Sequence, residues 1–340
     1  MTALRTKLDV RPYGPDDTAD VAAVAALVTA ARAVDAPRAY PAPAEFWEKR
    51  LRHGWDGEVP RTFLGTLPGS GEVVVAGELE AGEWDNRHLA WLDVQVHPAH
   101  RRGGLGSAML AHLEREATAL GRTTFGIGGW DSPAARGFAA RHGYDEAYVG
   151  AMRRQHLPAL DLGELAQKYA EARARAADYE LIRMRGRTPA DQLAEVAAMA
   201  AAINDAPTDD LDMEDEIVSA ERIAAYEAAQ EARGNRLYRV VARHRGTGEL
   251  AGHTVVAVET LRPGFAGQHD TSVVRAHRGH RLGFLLKAEM VRWLRDVEPG
   301  VVDIDTGNAA SNDHMVPINE ELGYELLGNE ACFQRKISAG

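Results

Sequence analysis

The stretch Val94-Gln95-Val96-His97-Pro98-Ala99-His100-Arg101-Arg102-Gly103-Gly104-Leu105-Gly106-Ser107 decides how this chain is read. Leu92 to Val96 alternates apolar and polar side chains, the period of a half-buried strand. Pro98 ends that strand, because proline cannot donate to a sheet ladder. From Leu105 onward, Leu105, Met109, Leu110, Leu113, Ala117 and Leu120 recur at helical spacing, and Gly121 closes the helix. Strand, basic glycine loop and helix in that order build an anion site. Glycines let the backbone approach a ligand, and the N–H groups of the loop and helix start point at it. Arg101 and Arg102 add charge suited to phosphate. The alternative is a tight strand-to-helix turn whose arginines are merely solvated.

The spacing Arg101-x-x-Gly104-x-Gly106 directly after V-x-V-x-P separates these readings. A Walker loop needs G-x-x-x-x-G-K-S/T, and the dinucleotide fingerprint needs three spaced glycines. The stretch instead resembles the acyl-coenzyme A signature R/Q-x-x-G-x-G/A of the GNAT acetyltransferase superfamily. The segment from Asp131 through Phe138 to Gly143-Tyr144 resembles the second signature of that superfamily, a short helix ending in Gly-Phe or Gly-Tyr.

The order of elements agrees. Leu8–Pro12 reads as a strand, Asp17–Val34 and Pro41–His53 as helices, and Arg61–Leu67 and Glu72–Glu80 as strands around the turn Pro68–Gly71. The central strand at Arg87–His97 and the helix to Leu120 follow. Then come a strand at Thr123–Ile127, a helix at Ser132–His142 and a strand at Tyr148–Gln155. Leu157–Ala177 reads as a linker helix. After it the order repeats, from Tyr179 through Ala276-His277-Arg278-Gly279-His280-Arg281-Leu282-Gly283 to Gly323-Tyr324. Arg101 and Arg278 lie 177 positions apart, Gly143 and Gly323 lie 180 apart, and an insertion of about three residues reconciles them. The expected architecture is therefore mixed α/β. It has two tandem GNAT domains at residues 1–156 and 179–340, joined by a helix at 157–178, each a mostly antiparallel twisted sheet with flanking helices. Mycothiol synthase and several antibiotic-resistance acetyltransferases share this plan.

The resemblance implies acetyl-coenzyme A as co-substrate. In the first copy it would be held by Arg101, Arg102, Gly103, Gly104, Gly106 and Ser107, with the strand backbone near Val94 and Val96. In the second copy Arg278, Gly279, Arg281 and Gly283 take the loop positions, with Arg281 replacing a glycine. Asn312 would bond pantetheine amides or cap a helix. Moving an acetyl group to an amine needs a base to take the ammonium proton and an N–H donor for the developing oxyanion. Asp93 on the central strand is the leading base, with Glu78 and Glu80 behind it. Glu259, His269 and Asp270 are the corresponding choices in the second copy. The tyrosine that often protonates the leaving thiolate in this superfamily is absent: its position holds Ala139 in one copy and Asn319 in the other. That absence keeps two alternatives open, an inactive acyl-coenzyme A sensor and an enzyme in which only the second copy works.

Composition bounds the rest. The 340 residues are 45% hydrophobic and 26% charged, as in soluble globular proteins. No stretch reads as a membrane span or signal peptide, and Cys332 is the only cysteine, which fits a cytoplasmic protein. The net charge of −11 disfavours nucleic acid and anionic membranes as partners and permits a cationic small-molecule amine. The acidic run Asp205–Glu216 reads as a solvated loop, with a wall of the second copy's acceptor site as the alternative. No His, Cys or carboxylate set has metal-ligand spacing, so no metal is expected, and the superfamily leaves room for a homodimer.

Overall fold

The computed structural model describes residues 8–337. It contains two compact units. The first comprises the chain up to Val149 with Asp210–Asp215 and the chain from Glu330. The second comprises Gly150–Asp209 and Glu216–Asn329.

In the first unit the chain runs β1 (Asp9–Pro12), α1 (Thr18–Asp35), α2 (Ala44–His53), β2 (Arg61–Thr66), β3 (Val73–Glu80), β4 (Leu89–Val96), α3 (Leu105–Ala119), β5 (Thr124–Trp130) and α4 (Pro133–Arg141). It ends in β6 (Asp145–His156), which continues into the second unit. β1 to β4 are antiparallel neighbours in order, and β4 pairs parallel with β5. The apolar stripe predicted for the glycine-loop helix is the buried face of α3: Leu105, Met109, Leu110, Leu113 and Ala117. It packs on Val75, Leu79, Ala90 and Leu92, which strand alternation puts on one side of the sheet. Truncating such a buried leucine to alanine costs about 2–5 kcal/mol. The opposite side, with Leu64 and Ala76, takes Val24, Leu27 and Val28 of α1. Helices therefore cover both faces, and Glu78, Asp93 and Gln95 of β3 and β4 line a cleft on the α1 side.

The second unit opens with α5 (Leu162–Arg175) and then repeats the order. It runs β7 (Tyr179–Arg185), α6 (Leu193–Ala200), α7 (Ala220–Ala232), β8 (Asn235–His244), β9 (Leu250–Glu259), β10 (Phe265–Val273), α8 (Leu282–Val297), β11 (Asp303–Ala309) and α9 (Met315–Glu321). β12 (Tyr324–Lys336) ends the chain. β7 to β10 are antiparallel neighbours, and β10 pairs parallel with β11.

The sequence-based boundaries at 156 and 178 need correction. Glu330–Lys336 of β12 pairs antiparallel with β5 and so completes the first unit's sheet. The end of β6 pairs with β11 and completes the second unit's sheet. Each copy thus ends in a strand that serves the other unit. The helix at 157–178 is no free linker either. Leu165 and Ala172 are buried in the second unit's core, and the Tyr169 hydroxyl donates to Glu289 at 2.7 Å. Among the described residues no helix is long and apolar enough to cross a membrane, and no group of three or more His, Cys, Asp or Glu side chains is placed to hold a metal ion.

Candidate active site

β4 and β5 pair only over Leu89–Trp91 and Thr124–Gly126 and then part. His97 donates its N–H to the Val74 carbonyl at 3.0 Å, which fixes the alternation of the ladder. With Val94 opposite Gly77 and Val96 opposite Val75, these two residues occupy the non-hydrogen-bonded pairs. Their N–H and C=O groups therefore turn from β3 toward the opening beside β5. The Val94 and Val96 backbone groups face that opening.

The glycine loop follows directly. Gly104, at φ +85°, precedes the first residue of α3 in the left-handed conformation that favours glycine, and a Cβ there would meet nothing within 4 Å. At Gly106 a Cβ would come within 3.3 Å of the Phe138 ring and 3.4 Å of Val96, so this glycine lets α4 close against α3. Arg102 is exposed at φ +69° and carries no ion pair among the described residues. Gly103 is exposed beside it. An open left-handed glycine, the N–H groups starting a 15-residue helix and an exposed guanidinium fit a pyrophosphate-bearing co-substrate.

Two residues expected to meet the ligand have other work. Arg101 is held by both oxygens of Asp35, at 2.7 and 2.6 Å, and donates to the Val96 carbonyl at 3.2 Å. It ties the loop to the end of α1. Ser107 Oγ lies 2.9 Å from His142 Nε2 and joins α3 to the end of α4.

On the other face of the sheet a cleft opens under α1 and α2. Asp93 is accessible to solvent, yet the cleft encloses it. Burial raises its carboxyl above the usual range, the facing Glu78 adds to the rise, and Gln95, at 2.9 Å, and Arg50 oppose it. Arg50 binds Glu78 and reaches Glu80 at 2.8 Å. Burial pushes Glu78 upward, but the hydrogen bonds and charge of Arg50 overcome this and hold it low. Glu80 is pushed up by burial and by the charge of Glu78. A cavity of about 70 Å³ lined by Tyr13, Val24, Arg32, Trp47, Glu78 and Asp93 opens here. The Arg32 guanidinium lies 5.1 Å from the Trp47 ring centre at its rim. Tyr144 is no acid for this site, because its hydroxyl donates to Glu114 at 2.8 Å.

The second unit repeats the scaffold with different contents. Arg278 donates to the Val273 carbonyl at 3.1 Å and pairs with Asp205 at 2.6 Å, repeating the clamp of Arg101. Gly279 is left-handed at φ +86°. Arg281 takes the left-handed place of Gly104 at φ +62°, and its guanidinium crosses from the start of α8 to Glu321 at 2.6 Å. A Cβ on Gly283 would sit 3.1 Å from Ile318, as Gly106 sits against Phe138. Lys287 on α8 is buried, donates to Asn319 Oδ1 at 2.5 Å, and Asn319 donates to Asn308 at 3.1 Å.

In this unit Asn312 takes the helix-cap alternative, and two expectations, Glu259 and His269, are corrected. Asn312 Oδ1 accepts from the Met315 N–H at 2.9 Å and is occupied as a cap of α9. Glu259 is buried at the end of β9 in a two-point bond with Arg262, which stacks on Phe265, so it is structural. His269 sits in a bulge of β10 with its Nδ1 2.6 Å from the Tyr226 hydroxyl, and burial pushes it down to about 3, too low for a base at neutral pH. The counterpart of Asp93 is Asp270, 177 positions on, and it binds the buried His253 Nε2 at 2.6 Å. The members of the acidic run divide between different partners. Asp205 clamps Arg275 and Arg278, whereas Asp210–Asp215 belongs to the first unit. There the Asp212 N–H donates to Gln334 at 2.6 Å, and its carboxylate accepts from Thr124 at 2.9 Å.

Sequence reasoning passed over Glu330. It lies 237 positions from Asp93 on a strand that joins the first unit only in the folded chain, so no local pattern announces it.

A sheet that parts beside a glycine loop, with a carboxylate behind the opening, defines a coenzyme A-type acyltransferase fold. Residues 31–144 match the acetyltransferase (GNAT) family. The chain is 35% identical over 152 residues to a mycothiol acetyltransferase from Geodermatophilus obscurus, covering 45% of this chain and 46% of that protein. It is 35% identical over 114 residues to one from Stackebrandtia nassauensis, covering 33% and 36%. The matched part thus spans less than half the length of these relatives. Among solved structures, a tandem GNAT protein from the clavulanic acid biosynthesis pathway aligns over 98% of this chain and 100% of its own, at TM-score 0.80 and 26% identity. A GCN5-related N-acetyltransferase from Sphaerobacter thermophilus shares the fold at TM-score 0.68 and 17% identity, over 98% and 96%. Residues 31–144 therefore resemble the acetyltransferase (GNAT) family, and the chain as a whole resembles a tandem GNAT protein.

Proposed function

We propose that the first unit transfers an acetyl group from acetyl-coenzyme A to the primary amine of a small molecule by direct attack in a ternary complex. The observation that carries this reading is the joining of two halves of the chemistry across β4. One edge of the strand turns the Val94 backbone toward the opening next to Gly104, and one face carries Asp93 in the cleft. The co-substrate supplies the acyl group as a thioester. The N–H groups around Gly104 and the charge of Arg102 hold its phosphates, and the Val94 N–H polarises the acyl oxygen. Asp93 takes the ammonium proton, directly or through water, and its raised affinity for protons suits it to that task. The mycothiol acetyltransferase and clavulanic acid pathway names both point to small-molecule acceptors in related proteins.

One observation favours a second reading, acyl-coenzyme A binding without turnover: the usual acid position holds the buried Ala139. Release of free thiol with a panel of small amines separates the two. Thiol release with any amine supports transfer, and saturable binding without release supports the sensor.

A further inference from the structure

The last strand of the chain lies beyond β5 in the first unit's sheet, two strands from β4, and it carries a carboxylate on the face of Asp93. Ala331 and Phe333 of β12 are buried in the core on the α3 side, so alternation turns Glu330 and Cys332 to the other face. Ala90 and Leu92 of β4 are in that same core, which puts Trp91 and Asp93 on the face of Glu330. Between these strands lies β5, and there the sequence removes side chains. Gly126 is covered by the Trp91 ring, where a Cβ would come within 2.4 Å, and Gly128 faces Cys332, where a Cβ would lie 3.3 Å from its sulfur. The glycines let the Trp91 ring and Cys332 lie close on β5, on the sheet face that carries Asp93 and Glu330.

Asp93 accepts a hydrogen bond from Gln95 at 2.9 Å, and Arg32 is a cation whose charge acts on both Asp93 and Glu330. The Glu330 backbone pairs with Trp130, and its carboxylate forms no hydrogen bond or ion pair among the described residues. Burial raises its carboxyl, with the charge of Asp93 adding to the rise and Arg32 opposing it. Across the face, four carboxylates (Glu78, Glu80, Asp93 and Glu330) stand against the guanidiniums of Arg50 and Arg32. Arg50 is committed to Glu78 and Glu80. A ligand bringing one positive charge satisfies Asp93 alone, and loses that charge when the amine is deprotonated for attack. A second positive centre would remain, and Glu330 is placed to meet it.

We infer that Glu330 is a specificity-determining residue of the first unit, which holds the second cationic centre of a diamine-like acceptor whose reacting amine lies at Asp93. This inference rests on the acetyl-transfer reading above. It commits the acceptor to a class, small molecules with at least two basic nitrogens, and it makes the last strand of the chain part of the first unit's site.

The test compares a linear alkyl monoamine with the diamine of the same chain length, on the full chain and on Glu330→Gln, following free thiol. The wild type should favour the diamine, and Glu330→Gln should lower kcat/KM for the diamine at least tenfold more than for the monoamine, chiefly through KM. A melting temperature no lower than that of the wild type, as removal of a carboxylate raised by burial implies, and an unchanged acetyl-coenzyme A affinity show that the variant is folded. A Glu330→Asp variant should recover part of the preference, which a merely structural role would not require. Equal losses with both amines, or no diamine preference in the wild type, overturn the inference while leaving acetyl transfer standing. No thiol release with any amine overturns the transfer reading itself.

Discussion

Replacing Asp93 with asparagine separates its chemistry from its effect on stability. Asparagine keeps the shape and an oxygen that accepts from Gln95, but it neither takes a proton nor carries charge. A positioned general base contributes about 10²–10⁴ in rate, so Asp93→Asn should lower kcat by that factor, roughly 3–5 kcal/mol of barrier. Stability should move the other way. The folded carboxyl is raised by burial and by Glu78, so protonation favours the folded state. The wild type therefore loses stability as pH rises from the unfolded carboxylate range through the raised value, and the variant should not. At neutral pH Asp93→Asn should melt higher than the wild type while working far more slowly. The assays are thiol release against pH and thermal melting at about pH 4 and 7. The acid limb of kcat/KM in the wild type should lie above the ordinary carboxylate range and should vanish in the variant. Activity within threefold of wild type, with that limb intact, refutes Asp93 as the base.

Other expectations follow from the same packing. Gly106→Val places carbon 3.3 Å from the Phe138 ring and should cost about 1–3 kcal/mol in denaturant unfolding, with weaker acetyl-coenzyme A binding as α4 is pushed from α3. Burial lowers the Lys287 amine to about 7, so the unfolded chain binds more protons between that value and the free-lysine value. Wild-type stability should rise with pH across this window, and Lys287→Met should flatten the rise in urea melts. Arg239→Met leaves the buried Glu227 without its partner at 2.8 Å and should destabilise the second unit by about 3–5 kcal/mol, read by thermal unfolding.

What the sequence discloses is the part of the fold written locally. The β4 strand, the glycine loop and α3 are contiguous, and their periodicity is the burial pattern of the folded unit. The repeat of that pattern exposes the duplication. What it conceals depends on pairing between distant segments. β12 reads as the last strand of the second copy, yet seven of its residues lie against β5, and this brings Glu330 to the site. Asp205–Glu216 reads as one acidic loop, yet its members divide, because Asp205 meets two arginines while Asp212 meets Gln334 and Thr124. Glu259 and His269 look like bases by residue type, but Arg262 and burial remove them from that role. Arg101 and Arg278 fit phosphate by type, and nearby carboxylates claim them first.

The central claim is that the first unit's glycine loop binds acetyl-coenzyme A. Calorimetric titration of that ligand into the wild type, Gly104→Glu and Gly283→Glu tests it directly. A side chain at Gly104 meets open space, so the main local cost there is the left-handed backbone, roughly 1 kcal/mol, and the variant should fold. The account predicts that Gly104→Glu abolishes binding in the first unit while Gly283→Glu leaves it intact. Loss of binding only in Gly283→Glu, or full binding in Gly104→Glu, would contradict it.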